Sequence, residues 1–354
     1  MTVRTPTTAQ ASRAAPGIAL WLFICAAMVF AMVILGGLTR LSHAGLSVVE
    51  WRPLSGALPP ASDEEWGLLF RDYQQIPEYQ AIHRGMTLSE FKSIFWLEYA
   101  HRLWGRLIGV VVLVPLAVLW LRRSIDRALG WRLTGVLALG ALQGGAGWFM
   151  VSSGLADRPD VSQYRLVLHL ALAVAIYGLL VRFAFGALRP SGPQPPGAPA
   201  RGLGAAMVAV LVLVVLTMLS GGFVAGLDAG FAYNTFPLMD GRIVPEDYLA
   251  LDPSWRNPFE NMAAAQFNHR ALGLATLGTS ALLWASARRR AREPLTRRAA
   301  DAVLLAALGQ AALGVLTLVL VVPLPLALAH QAGAFALLTA ALWLGHARNL
   351  AAHR

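Results

Sequence analysis

Cysteine is nearly missing from this chain: Cys25 is the only one in 354 residues. That excludes an internal disulfide and any multi-cysteine metal site, so redox chemistry has to come from a bound cofactor. Charge is scarce as well, 14% of residues against 56% hydrophobic, with a mean hydropathy of +0.56. Lysine is reduced to Lys92. No polar stretch is long enough for a large soluble domain.

What is present is apolar sequence in membrane-length runs. A bilayer needs about 20 consecutive apolar residues per helix. Eight such runs occur, at roughly 17–38, 96–121, 132–152, 165–187, 203–224, 266–287, 302–322 and 326–345. The net charge of +10 is unevenly spread. The N-terminus, the even-numbered loops and the C-terminus carry 17 Arg and only Asp126, Glu293 and Asp301, whereas the other side holds 12 basic residues and 16 acids. The positive-inside rule then puts both termini in the cytoplasm, and the basic balance is a topology signal with no nucleic acid implied. The first run is full length and leads into Gly36-Gly37-Leu38-Thr39-Arg40, which reads as an uncleaved helix and not a signal peptide.

The runs repeat. Gly36-Gly37 ends the first and Gly221-Gly222 the fifth. Glu98-Tyr-Ala-His101-Arg102 opens the second, and Gln266-Phe-Asn-His269-Arg270 the sixth. Gln143-Gly-Gly-Ala-Gly147 lies in the third and Gln310-Ala-Ala-Leu-Gly314 in the seventh, while His169 and His330 sit in the fourth and eighth. The expected fold is an all-α polytopic membrane protein, with eight transmembrane helices as two tandem, pseudo-twofold related four-helix bundles. Its parts are a tail 1–16, an N-terminal half 17–189, a proline-rich cytoplasmic linker 190–202, a C-terminal half 203–345 and a tail 346–354. The glycines also fit plain close packing of membrane helices. Two long exterior loops, 39–95 and 225–265, are rich in Trp, Pro and acids and are expected to be ordered caps.

The histidines carry the chemistry. An ionisable side chain in a membrane span is a functional hypothesis by default, and imidazoles on facing helices hold haem iron. Counting to the arginine that ends each span (Arg122, Arg189, Arg288, Arg348), all four imidazoles lie about 27–32 Å from the cytoplasmic side. One bis-histidine site per half is expected, His101 with His169 and His269 with His330, side by side near the periplasmic face. Equal depth disfavours vectorial electron transfer. Zinc would need a carboxylate or cysteine set that the spans lack. His43, His83, His346 and His353 fall in loops or the tail.

One difference breaks the symmetry: Glu98 stands three residues before His101, and Gln266 three before His269. Positions i and i+3 share a helix face, so Glu98 is a candidate catalytic carboxylate, with a salt bridge to Arg102 as the alternative. Arg102, Arg106 and Arg270 lie near the same ends, as propionate partners or as snorkelling side chains.

These stretches resemble the haem A synthase family, in its mitochondrial and alphaproteobacterial branch. The matching residues are Gly36-Gly-Leu-Thr-Arg-Leu41, Gly45-Leu-Ser, Glu50-Trp-Arg-Pro, Pro77-Glu-Tyr, Gly85-Met-Thr-Leu-Ser-Glu-Phe-Lys92, Ile94-Phe and Glu98-Tyr-Ala-His-Arg102. They continue with Gly226-Leu-Asp-Ala-Gly230, Tyr233-Asn-Thr-Phe-Pro237, Pro245-Glu-Asp247, Arg256-Asn and Gln266-Phe-Asn-His-Arg270. Unlike some bacterial relatives, the chain has no cysteine pair in an exterior loop, as is usual in this branch.

The resemblance implies oxidation of the C8 methyl of haem O to a formyl group by successive hydroxylations, giving haem A for terminal oxidase assembly. It implies Glu98 as the catalytic carboxylate, His101 and His169 as ligands of the substrate iron, and His269 and His330 as ligands of a resident haem b. With both substrate-side ligands bound, the iron has no vacant position for dioxygen. Either one ligand leaves or the oxygen comes from water, as the family is thought to use. The farnesyl tail of haem O accounts for a membrane setting. Implied partners are haem O, an electron acceptor, and haem O synthase, oxidase assembly factors or a second copy of the chain. The location is a bacterial cytoplasmic (inner) membrane, multi-pass. The competing expectation is a dihaem b-type electron-transfer cytochrome that leaves the porphyrin unchanged.

Overall fold

A computed structural model of the chain describes residues 8–50, 55–155, 160–188 and 201–351. The linker 190–202 lies almost wholly outside the described residues, as do Trp51-Arg-Pro53, His353 and the chain's first seven residues. Eight long helices run through the rest. They are α1 (Thr8–Leu41), α2 (Leu88–Leu121), α3 (Arg127–Gly154), α4 (Gln163–Leu188), α5 (Arg201–Gly226), α6 (Met262–Arg290), α7 (Pro294–Val319) and α8 (Leu324–Ala351).

Seven of the eight expected apolar runs lie inside one of these. The run 302–322 passes the end of α7 at Val319 by three residues, because the chain turns to positive φ at Val321 and Val322. Each helix outruns its apolar run at one or both ends. Local capping explains where they start. Thr87 and Glu90 form a reciprocal capping box that begins α2 two turns above the apolar stretch. Asp126 accepts from the Leu129 N–H at 2.8 Å to open α3, and Asn261 accepts from Ala263 and Ala264 to open α6. At the other end of the chain α8 continues to Ala351, so residues 346–351, expected as tail, are helical.

Seven of the eight helices are long and apolar enough to cross a membrane. The exception is α6, whose composition falls short: Gln266, Asn268, His269 and Arg270 crowd its first turns and Arg288, Arg289 and Arg290 its last. The expected count of eight therefore reduces to seven by length and apolar character alone.

The helices pack in two cycles. α1 packs on α2 and α4, and α3 packs on the same two; α5 packs on α6 and α8, and α7 on those two. Exchanging α1 to α4 for α5 to α8 maps one set onto the other. Contacts of α1 with α8, α4 with α5, and α4 with α8 join the sets. The apolar core runs through this junction, with Phe335, Leu180 and Val210 fully buried. Polar groups there are paired: Tyr177 Oη lies 2.7 Å from Thr339 Oγ1, Gln331 Nε2 donates to the Val33 carbonyl at 2.9 Å, and Arg40 pairs with Asp228 at 2.9 Å.

The long segments between α1 and α2 and between α5 and α6 are ordered where described. Short helices cover Asp63–Tyr73, Pro77–Ala81 and Asn257–Glu260. Over the first set, Trp66, Tyr73, Ile76, Tyr79, Phe91 and Phe95 form a second apolar cluster. The buried Glu78 sits within it, accepting from Tyr73 Oη at 3.4 Å, while Tyr73 Oη also meets His83 Nδ1.

Two predictions follow from packing and burial. Gly226 meets α4 so closely that a Cβ would stand 2.6 Å from Gln163 Cβ and 2.7 Å from its Cα. Gly226→Val should cost about 1–3 kcal/mol, read as a lower melting temperature of the detergent-solubilised chain; an unchanged melt would contradict this packing. Burial, helped by the negative charge of Glu98, pushes the Glu78 carboxyl up to about 8. The unfolded chain loses that proton near pH 4.3, so stability should fall as pH rises from there to about 8 and level off above. Glu78→Gln should flatten that slope in melts between pH 5 and 8; identical slopes would refute the assignment.

Candidate functional site

The four histidines fall at one end of the even-numbered helices. His101, His169, His269 and His330 each stand about 20 residues before the end of α2, α4, α6 and α8, or about 30 Å of helix. Within each cycle the two bearing helices stand diagonally, so their imidazoles approach across the centre. The rings of His269 and His330 are 6.3 Å apart between centroids and nearly perpendicular, at 88°. His101 and His169 lie close enough for the charge of one to bear on the other.

Glycines on the odd-numbered helices make room for the rings. A Cβ on Gly36 would stand 3.1 Å from His101 Nε2, on Gly147 3.1 Å from His169 Cε1, on Gly221 3.0 Å from His269 Cε1, and on Gly314 2.9 Å from His330 Cε1. Any larger residue pushes the ring aside. The second glycine of each pair serves the junction instead. Gly37 faces Gln331 of α8, and Gly222 faces Val167 and Leu170 of α4.

Side chains beside the rings were not singled out as site residues in the sequence. Ser220 Oγ lies 2.9 Å from His269 Nδ1, Gln310 Nε2 lies 3.2 Å from His330 Nδ1, and Gln143 Nε2 lies 3.1 Å from His169 Nε2. Gln143 and Gln310 were visible as marks of the repeat. Their position one turn before Gly147 and Gly314 was the usable signal.

The second pair fits a six-coordinate iron. A metal–imidazole bond of about 2.0–2.1 Å, plus about 1.1 Å from nitrogen to ring centre, gives centroids about 6.2–6.4 Å apart across one metal. The observed 6.3 Å matches. Ser220 and Gln310 occupy the Nδ1 side of the two rings, so Nε2 is the nitrogen on the side left for the metal. His330, whose Nδ1 accepts from the Gln310 amide, would first have to move its proton from Nε2 to Nδ1. Among the described residues no cluster of three or more His, Cys, Asp or Glu offers a metal site of another kind.

Glu98 is buried, but its carboxylate is turned to the exterior segment. Oε2 accepts from Ser47 Oγ and the Val48 N–H, both at 2.7 Å, and Oε1 accepts from Arg102 Nε and Nη2 at 3.0 and 2.6 Å. Four donors fill the four acceptor positions of a carboxylate. A carboxylate in an apolar setting is tolerated only when so paired. Arg102 also donates to the Val48 and Glu50 carbonyls. Gln266 and Arg270 repeat the arrangement with opposite polarity: Gln266 Nε2 donates to the Ala229 and Ala232 carbonyls, and its Oε1 accepts from Arg270 at 2.6 Å. Arg270 further donates to Tyr233 and Thr235 carbonyls at 2.6 and 2.8 Å. Arg106 lies one turn further along α2 and is half-buried. His43 and His83 sit in the exterior segment, their rings 6.4 Å apart, and His346 stacks on Phe185 near the end of α8.

Comparison with known proteins places this arrangement. The family model of COX15-CtaA, cytochrome oxidase assembly protein, matches residues 19–342. The chain belongs to that family. It is 49% identical over 329 residues to a protein of Nitrosospira multiformis named haem A synthase, covering 93% of this chain and 92% of the relative. A haem A synthase of Paramagnetospirillum magneticum is 50% identical over 333 residues, covering 93% of each chain. One of Rhodospirillum centenum is 49% identical over 339 residues, covering 95% and 90%.

A test of the ring pocket follows from the glycines. Gly221→Val, which drives His269 off its seat, should lower the amount of added haem b that the purified chain retains by about 10-fold or more at limiting haem. Full haem content with an unaltered absorption spectrum would show that the glycine does not set the ring.

Proposed function

We propose that this chain is a haem A synthase, oxidising the C8 methyl of haem O to the formyl group of haem A in a bacterial cytoplasmic membrane. The observation that carries the reading is the pair of facing imidazoles at 6.3 Å, in a chain whose relatives at about half identity bear that name. In this reading all eight long helices cross the membrane. They form two tandem, pseudo-twofold related bundles, 17–189 and 203–345, with both termini cytoplasmic and both sites near the periplasmic face. The repeated cycle of helix neighbours supports the pairing. The arginine-rich exit of α6 supports the orientation. Gln266 and Arg270 spend their polarity on loop carbonyls, which lets an α6 of low apolar character span.

His269 and His330 hold a resident haem b, which when bound supplies a one-electron centre. His101 and His169 are the ligands of the substrate haem O. Arg102, Arg106 and Arg270 are the propionate partners, the first and last sharing their donors with the loop. Glu98 is the catalytic carboxylate of the substrate half. With its four acceptor positions filled, it takes a proton from water only when Ser47 or Val48 lets go of Oε2. Movement of the 44–50 segment and proton transfer are therefore one event.

The test is to give the full-length chain haem O in lipid and extract the pigments. Haem A should appear; haem O recovered unchanged beside haem b would favour a dihaem cytochrome and contradict the proposal. Glu98→Gln should keep haem b bound by the second half and lower haem A formation by about 100-fold or more. Normal conversion in that variant removes Glu98 from the mechanism.

A further inference from the structure

The two histidine pairs are not held alike, and the difference matches what a resident group and a passing substrate require. We infer that iron ligation in the second half is preset at His269 and one amide turn away at His330, whereas the first half has to be switched on, with Gln143 holding the ligating nitrogen of His169 until a porphyrin arrives. The inference rests on the assignment of the halves proposed above.

In the second half the rings are set from behind. Ser220 Oγ donates its one hydrogen to the Thr217 carbonyl at 2.9 Å, so towards His269 it accepts, and Nδ1 carries the proton. That leaves Nε2 with a bare lone pair, the form a metal takes. Gln310 Nε2 donates to His330 Nδ1 at 3.2 Å and to the His330 carbonyl at 2.9 Å, so this ring keeps its proton on Nε2 until the amide turns and Nδ1 takes it. In both rings Nδ1 is the nitrogen that the neighbouring side chain engages.

In the first half His169 shows Gly147 the same Cε1 and Nδ1 edge, but the other features differ. Leu35 precedes Gly36 where Ser220 precedes Gly221, so that position offers His101 no hydroxyl. His101 turns its Nε2 and Cδ2 edge to Gly36, at 3.1 and 3.6 Å from a would-be Cβ, whereas His269 shows Gly221 the opposite edge, Cε1 and Nδ1 at 3.0 and 3.5 Å. Gln143 meets His169 at Nε2, not Nδ1.

Two buried atoms are then left without a hydrogen-bond partner, His169 Nδ1 and Gln143 Oε1. They complement each other. A turn of the His169 ring brings an Nδ1–H to Gln143 Oε1 and swings Nε2 away from the Gln143 amide, towards the centre of the cycle. Gln310 Oε1 is also unpartnered, but there the ring already presents Nδ1 to the glutamine, so a turn of the amide suffices and the ring itself stays in place. A site whose competent state must be recruited binds more weakly in proportion to how seldom that state is populated. A substrate that must leave as product needs that weakness. A resident cofactor needs the reverse.

The experiment loads the full-length chain in lipid nanodiscs with haem b to two per chain, then follows transfer to excess haem-free myoglobin by absorbance. Wild type should release one haem quickly and one slowly. Leu35→Ser and Gln143→Leu should each slow the fast phase by about 10-fold or more, and Ser220→Leu and Gln310→Leu should speed the slow phase by about 10- to 100-fold. Leu35→Ser leaves Gln143 in place, so it tests the idea independently of that side chain. Two equal phases in wild type overturn the inference, as does faster release in Gln143→Leu, which would make Gln143 an ordinary supporting residue. A chain that takes up fewer than two haems overturns the assignment of the halves itself.

Discussion

Every feature of the site depends on an imidazole lying against a helix that has no side chain at the point of contact. Gly36, Gly147, Gly221 and Gly314 each leave a would-be Cβ about 3 Å from a histidine ring atom. An ionisable ring is costly in a membrane core, and it persists only where its edges are packed and its nitrogens are used. The glycines supply the packing, and Ser220, Gln143 and Gln310 engage the nitrogens. Because Gly37 and Gly222 follow directly and seat the opposite set of helices, one dipeptide in each half ties the ring pocket to the junction between halves. Neither half can shift against the other without disturbing a histidine.

The exterior segments impose a second constraint, and it gives the difference between Glu98 and Gln266 a structural side. Over the first half the chain turns an O–H and an N–H toward the helix, from Ser47 and Val48, and a carboxylate answers them. Over the second half it turns carbonyls, from Ala229 and Ala232, and an amide answers those. Arg102 and Arg270, four residues on, complete both anchors by reaching further carbonyls of the same segments. The catalytic use proposed for Glu98 is superimposed on this anchoring role, which is why loop movement enters the proposed mechanism.

Much of this was legible in the residues. Apolar runs located all eight long helices, because hydrocarbon thickness fixes their length. Repetition of Glu98-x-x-His101 as Gln266-x-x-His269 anticipated the matching sets of helix neighbours. The helix starts were less legible, since capping by Thr87 and Asn261 depends on one or two polar atoms and extends helices beyond the apolar stretch. At α6 apolar character falls short of a membrane span, and the buried Gln266 there answers loop carbonyls that no hydropathy count includes. Orientation of the rings was not legible at all. Leu35 against Ser220 is a one-residue difference inside an apolar run, and its meaning appears only when His101 and His269 are seen from their glycines. Likewise the direction in which Glu98 points followed from the backbone of residues 47–48, which helix periodicity does not describe.

The central claim is that two imidazoles on diagonal helices share one iron, with their planes crossed. Electron paramagnetic resonance of the full-length ferric chain, loaded with a single haem b, tests it most directly. The account predicts a low-spin signal of the strongly anisotropic kind given by perpendicular imidazoles, as the 88° between His269 and His330 requires. A high-spin signal, or a low-spin one characteristic of parallel rings, would contradict it.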